Sequence, residues 1–147
     1  MTIQLFSPRY RDDLLFMVLS AKDALGLVPT LREDLLDIPQ AYFNKGDSFW
    51  IATDDNDRVI GCLGYHVISP DEAFLHRFFI KPSMKRKGIG TALLWLVEQE
   101  LQQRGIKTIR VHLGAPKEIW HESYAFYAKH GFTEYAPRYW QKTIINA

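Results

Sequence analysis

Lys85-Arg86-Lys87-Gly88-Ile89-Gly90-Thr91 stands between an apolar, strand-like run from Phe74 to Lys81 and a strongly periodic helix from Ile89 to Arg104. A basic, glycine-bearing turn that opens into a helix is suited to hold a phosphate group. Glycine permits close backbone approach, and the N–H groups of a helix's first turn have no partner inside the helix. The helix dipole and the neighbouring cations both favour an anion at that end.

Downstream of the turn, Ile89, Leu93, Leu96, Val97 and Leu101 share one helix face, and Gly105 follows as the terminating residue. Thr108 to Leu113 then alternates as a strand does. A strand, a helix and a strand in this order predict a right-handed crossover, so the two strands run parallel. Pro116 to His130 reads as a last long helix, stopped by Gly131. Phe132 to Tyr135 and Tyr139 to Ile145 form a closing hairpin around Pro137.

Upstream, the period is that of strands back to Ser48. Phe49 to Ala52 and Val59 to Ile68 make a hairpin about the polar turn Asp54-Asp55-Asn56-Asp57. Pro70-Asp71 turns the chain again into a third strand, Ala73 to Ile80. Thr2 to Phe6 is a short first strand, followed by Ser7-Pro8 as an N-cap and first helical residue. Leu14, Leu15, Val18, Leu19 and Leu25 give that helix its spacing, and it ends near Gly26. Thr30 with Glu33 suggests a capping box for a second helix, which Pro39 kinks or splits. The order predicts an α/β fold with a mixed sheet.

The 147 residues suffice for one domain, 1–147, with a substantial core. The net charge of +1 gives no global basic field, so the local cluster suits a small anionic ligand better than a nucleic acid. The lone cysteine, Cys62, rules out an intramolecular disulfide and reads as a buried thiol. Met1 to Leu5 lacks the pattern of a signal peptide, and no apolar run reaches the roughly 18 residues of a membrane span. A cytoplasmic setting is the default expectation.

The glycine pattern excludes two phosphate loops. A Walker-type loop needs Gly-Lys-Ser/Thr after a four-residue spacer, and a dinucleotide fingerprint needs a third glycine where Leu93 stands. Lys85-Arg86-Lys87-Gly88-Ile89-Gly90 instead resembles the Arg/Gln-x-x-Gly-x-Gly/Ala signature of the GNAT-type N-acetyltransferases. Ser123-Tyr124-Ala125-Phe126-Tyr127-Ala128-Lys129-His130-Gly131-Phe132 is similar to that family's second signature, which ends Phe-Tyr-x-x-x-Gly-Phe. The resemblance extends over roughly residues 48 to 136. It implies a mixed, mostly antiparallel sheet whose parallel fourth and fifth strands splay apart, flanked by about four helices.

The same resemblance implies acetyl-CoA as acyl donor; the histidines show no metal-ligand spacing such as His-x-x-x-His, so no metal is expected. Its pyrophosphate would meet Lys85, Arg86, Lys87, Gly88, Ile89, Gly90 and Thr91, and its pantetheine the backbone near Phe78, Phe79 and Ile80. Trp120, Ser123 and Tyr127 would line the far side, and Lys129 is a further candidate for a phosphate. Lys85 departs from the usual Arg or Gln, keeping the charge but losing the planar fork. Trp120 stands where an asparagine is common.

The reaction implied is direct attack of a primary amine, of a small molecule or a peptide, within a ternary complex. Tyr127 is the candidate acid for the departing thiolate. The base has three candidates, His76 first, then His112 and Glu72, each of which reads more readily as a satisfied polar or solvent-facing residue. His66, His121 and His130 look incidental. The alternatives are a non-catalytic acetyl-CoA-binding regulatory module and, weakly, a nucleic-acid module. A homodimer fits the resemblance; no membrane partner is expected.

Overall fold

The computed structural model describes residues 1–144. Seven strands form one sheet in the order β1-β2-β3-β4-β5-β7-β6. They are β1 (Thr2–Leu5), β2 (Ser48–Thr53), β3 (Val59–Ser69), β4 (Glu72–Ile80), β5 (Thr108–His112), β6 (Thr133–Ala136) and β7 (Tyr139–Thr143). The helices are α1 (Arg11–Ala24), α2 (Ile38–Ala41), α3 (Ile89–Gln103) and α4 (His121–Lys129). All pairings are antiparallel except β4 with β5. The mixed sheet with parallel fourth and fifth strands is as expected. No helix among the described residues is long and apolar enough to cross a membrane.

Strand alternation sorts the core into two layers. Leu63, Tyr65, Ala73, Leu75, Ile109 and Val111 face α3 and α4, joining Leu93, Val97 and Tyr124. Ile51, Cys62 and Phe49 face the other way, against Leu14, Met17 and Val18 of α1 and Ile38 of α2.

The decisive feature is where β4 leaves β5. They pair only from Glu72 opposite Thr108 to Phe74 opposite Arg110. Beyond that β5 stays with β7, out to His112 opposite Tyr139, while β4 runs on beside β3 to Ile80. The β5-facing edge of β4 therefore has no strand partner after Phe74. An irregularity in the β3–β4 register falls in the same place, with Arg77 at φ 57. One extra residue in a strand bends it and increases its twist, which opens the gap.

Three expectations are corrected. The second helix is broken into a 3-10 turn (Glu33–Leu36), the short α2 and another 3-10 turn (Phe43–Lys45). Asp37, not Thr30, caps it, its side chain accepting from the Gln40 N–H, and Pro39 sits in the first turn, where a missing N–H costs nothing. The last helix begins at His121 rather than Pro116, because the chain first turns on the Pro116 carbonyl, which accepts from Ile119 and Trp120. Ser7 holds the cap position but makes no side-chain cap bond, and a 3-10 turn (Pro8–Tyr10) precedes α1. The predicted end of the last strand, Ile145, lies outside the described residues.

Candidate active site

The mouth of the β4–β5 gap continues into a cleft of about 560 Å³ between the start of α3, the start of α4, β4 and α1. Phe78, Phe79, Ile80, Lys85, Arg86, Gly88, Ile89, Gly90, Thr91, Trp120, Ser123 and Tyr127 all line it. Of the residues expected to hold the donor, Lys87 alone does not; its Nζ lies 3.9 Å from Met84 Sδ. Lys129 also lines the cleft.

The helix entrance is built for an anion. Gly88, at φ 80, adopts the left-handed conformation that glycine takes without steric cost, and its carbonyl accepts the first intrahelical bond, from the Ala92 N–H. The N–H groups of Ile89, Gly90 and Thr91 precede that bond and need outside partners. Arg86 is left-handed as well, at φ 64. For a residue with a side chain this costs about 1–2 kcal/mol. Gly90 lies against the rings of Phe126 and Phe78. Across the opening, Lys85 pairs with Glu122 of α4 at 3.1 Å.

On the far wall the Tyr127 ring packs edge-on against Phe78 and Phe132. Burial pushes its hydroxyl well above the usual phenol range. The hydroxyl has no hydrogen-bond partner among the described residues, yet the side chain borders the cleft. Trp120 is wedged over Gly114, where even a methyl group would collide with the indole. His130 is fixed by Nδ1 on the Phe126 carbonyl (2.8 Å) and by Nε2 beside Thr91 Oγ1 (3.1 Å).

His76 stands on the other face of β4, outside this cleft. Its ring meets His66 edge-on at 4.6 Å and Phe74 at 6.5 Å. Burial first, then the nearby His66 and Arg77, push the His76 imidazole down to about 4, so it is neutral at physiological pH. Neither nitrogen has a hydrogen-bond partner among the described residues. His66 stacks on Tyr42 (4.5 Å, 11°) and its Nδ1 lies 2.8 Å from Asp47 Oδ2. Tyr42 in turn donates to Asp34, which Arg77 also binds. The other candidate bases are engaged differently. Glu72 pairs with Arg110 at 2.6 Å and accepts from Ser69, and His112 is stacked on Tyr139 at 4.3 Å. Cys62 is fully buried, its thiol pushed up to about 12 by burial and its Sγ donating to the Arg77 carbonyl.

The acetyltransferase (GNAT) family model matches residues 16–132. The chain belongs to the GNAT family. Its sequence is 33% identical over 81 residues to the "Probable N-acetyltransferase camello" of Xenopus laevis, a match covering 53% of this chain and 36% of that protein. The chain thus spans about a third of that curated relative. Its fold is similar to a GNAT acetyltransferase from Staphylococcus aureus Mu50, with a TM-score of 0.88, 21% identity and coverage of 98% and 99% of the two chains. It is also similar to the PaiA N-acetyltransferase of Thermoplasma acidophilum, solved with coenzyme A, at a TM-score of 0.75, 19% identity and coverage of 98% and 100%.

Several residues of this cleft carried no sequence signal. Ala21 and Leu25 form a wall of the cleft from α1, which only the tertiary packing brings there. His130 looks incidental in sequence but lines the cleft and anchors Thr91. Glu122 is an ordinary first-turn acid until it is seen to meet Lys85. The Asp47–His66 pair depends on the β2–β3 register, and nothing local announces it.

Proposed function

We propose that this chain, as one acetyltransferase domain, transfers an acetyl group from acetyl-CoA to a primary amine of a small molecule or peptide, by direct attack in a ternary complex. The observation that carries the proposal is the single cleft onto which a basic helix entrance, the splayed edge of β4 and the Tyr127 side chain all open. The pyrophosphate is received by the N–H groups opening α3 and by Lys85 and Arg86. The pantetheine lies along the unpaired edge of β4 by Phe78, Phe79 and Ile80, where backbone groups can bond it as a strand would. An N–H there polarises the thioester oxygen.

The amine must be neutral to attack, and an alkyl ammonium has a pKa near ~10.4. It enters on the His76 face of β4. Its lone pair bonds to the acyl carbon, the carbon–sulfur bond breaks, and Tyr127 protonates the departing thiolate. The inert Cys62 thiol offers no nucleophile for a two-step route.

The reading is tested by calorimetry with acetyl-CoA and by release of free CoA thiol with a panel of alkyl, aryl and peptide amines. Binding with turnover on at least one amine is expected. Binding without turnover on any would favour a regulatory module, and no binding would end the proposal.

A further inference from the structure

Resting on that acetyl-transfer reading, we propose that the Asp47–His66 pair takes the proton that the acceptor ammonium must lose, beside the His76 ring. Asp47 precedes β2 and is only 7% exposed. Its Oδ1 accepts from the Val67 N–H at 2.9 Å, and its Oδ2 lies 2.8 Å from His66 Nδ1. Both oxygens are thus fixed by β3. A carboxylate accepts, so Nδ1 carries the hydrogen and Nε2 keeps its lone pair. Among the described residues Nε2 has no hydrogen-bond partner. The ring plane is set by Tyr42 beneath it, whose hydroxyl is itself tied to Asp34 at 2.7 Å. A base oriented by a buried carboxylate, with its second nitrogen free, is the arrangement that general-base histidines use.

The neighbourhood decides which imidazole takes the charge. His66 and His76 touch, so two positive charges there would repel. His76 faces Arg77 and a desolvating wall. His66 has Asp47 as counter-charge. Asp34 lies beyond Tyr42 and is already bonded to Arg77. With Asp47 at its Nδ1, His66 is the imidazole placed to take the proton, while the His76 ring lines the approach.

The position also fits. His76 and Phe78 flank the irregularity at Arg77, and the Phe78 ring meets Tyr127 at 6.2 Å. The acid and the histidine pair stand on opposite faces of one short segment of β4, where β5 has departed. The ammonium passes one proton to His66 Nε2, which releases it to solvent. The nitrogen lone pair forms the carbon–nitrogen bond as the carbon–sulfur bond breaks, and Tyr127 supplies the thiol proton. The second nitrogen-bound proton, lost as the amide forms, restores the Tyr127 hydroxyl through solvent.

The test is the pH dependence of kcat/KM for wild type, His66→Gln and Asp47→Asn with an amine found in the screen. His66→Gln is expected to lower kcat by about 10²-fold or more near pH 7, with the KM for acetyl-CoA unchanged. The deficit narrows as pH rises toward the amine's own pKa, because a growing share of acceptor then arrives neutral. Asp47→Asn retains an acceptor for Val67 but offers His66 the wrong partner, and is expected to show the same narrowing. Undiminished activity in His66→Gln, or a loss in both variants that does not change with pH, overturns the assignment while leaving acetyl transfer standing. Should His66→Gln fail to fold, Asp47→Asn decides alone. Nitrogen-15 spectra of the native protein give a second reading, since an Nε2–H tautomer at His66 overturns the proposal. A wild type that binds acetyl-CoA but acetylates nothing overturns both this inference and the reading it rests on.

Discussion

Lys85 Nζ lies 3.1 Å from Glu122 Oε2, so the loop entering α3 is tied to the first turn of α4 across the mouth of the cleft. The hydrogen bond from Lys85 holds the Glu122 carboxyl below its ordinary range. An incoming phosphate must compete with Glu122 for this cation. Glu122→Gln is therefore expected to tighten acetyl-CoA binding about 2–10-fold, and Lys85→Ala to weaken it by a similar factor. A pair this exposed is worth only about 0.2–1 kcal/mol to the fold, so thermal stability should barely move. Calorimetry at two salt concentrations checks the idea; equal affinities in both variants and wild type would sink it.

Tyr127→Phe keeps the ring between Phe78 and Phe132 and removes only the hydroxyl. Loss of a general acid costs about 10²–10⁴-fold in rate. The expected result is such a fall in kcat with acetyl-CoA affinity within about twofold of wild type. Because burial pushes the hydroxyl up, it remains a proton donor to about pH 10, and wild-type kcat should show no alkaline loss from this group below that pH. Steady-state rates from about pH 6 to 10 test both points. A variant as fast as wild type would show that Tyr127 is not the acid, while leaving acetyl transfer standing.

Cys62 bears on whether the acetyl group ever rests on the protein. Its thiol is pushed up to about 12 by burial and is fully enclosed, so almost no thiolate forms at neutral pH. The native protein should resist alkylation by iodoacetamide for hours and react quickly once unfolded. Mass spectrometry after incubation with acetyl-CoA alone should find Cys62 unmodified. An acetylated cysteine would contradict direct transfer.

The half of the site around α3 is legible in sequence because its chemistry is local. Lys85 to Thr91 is a continuous segment whose proposed phosphate-binding role follows from backbone conformation, helix polarity and side-chain charge. The crossover from β4 through α3 to β5 is legible for a similar reason, since hydrophobic period alone fixes element type and handedness fixes direction. What fails is whatever needs a competition between neighbours or a register. Thr30 with Glu33 reads as the cap, and only the packed structure shows Asp37 bonded to the Gln40 N–H instead. Asp47 and His66 are adjacent because β2 and β3 pair in one register, with Ser48 opposite Tyr65. A shift of one residue would place His66 on the opposite face.

Gly64 is a steric requirement of the Tyr42–Phe49 packing beneath His66. A Cβ at this position would lie 2.6 Å from Phe49 and 2.9 Å from Tyr42, two fully buried rings. Tyr42 is also the surface on which His66 stacks. Gly64→Ala is expected to destabilise the protein by about 1–3 kcal/mol, as overpacking usually does. For a chain of this size each kcal/mol lowers Tm by about 2–4 °C. The variant should lose turnover more than acetyl-CoA affinity, because the cleft by α3 is untouched. A melting temperature equal to wild type would show that the rings shift freely.

Asp34 ties the Tyr42–Arg77 cluster to acid stability. Burial alone would push its carboxyl up, but hydrogen bonds from Arg77 and Tyr42 prevail and hold it below the usual carboxylate range. Its folded-state pKa thus lies under the unfolded value of about 3.9. The stabilisation is complete above that value and is lost as pH falls through the folded pKa. Arg77→Ala removes the charge-assisted bonds and leaves the carboxylate partly buried with Tyr42 alone. At pH 7 this should cost about 1.5–3 kcal/mol, the worth of hydrogen bonds to charged groups. As pH falls below about 4 the unfolded chain takes up the proton first and the folded carboxyl follows at lower pH, so the gap between the two proteins should close. Urea titrations from about pH 3 to 7 follow it; a gap constant with pH would mean that the Arg77 side chain stabilises the fold through contacts other than Asp34.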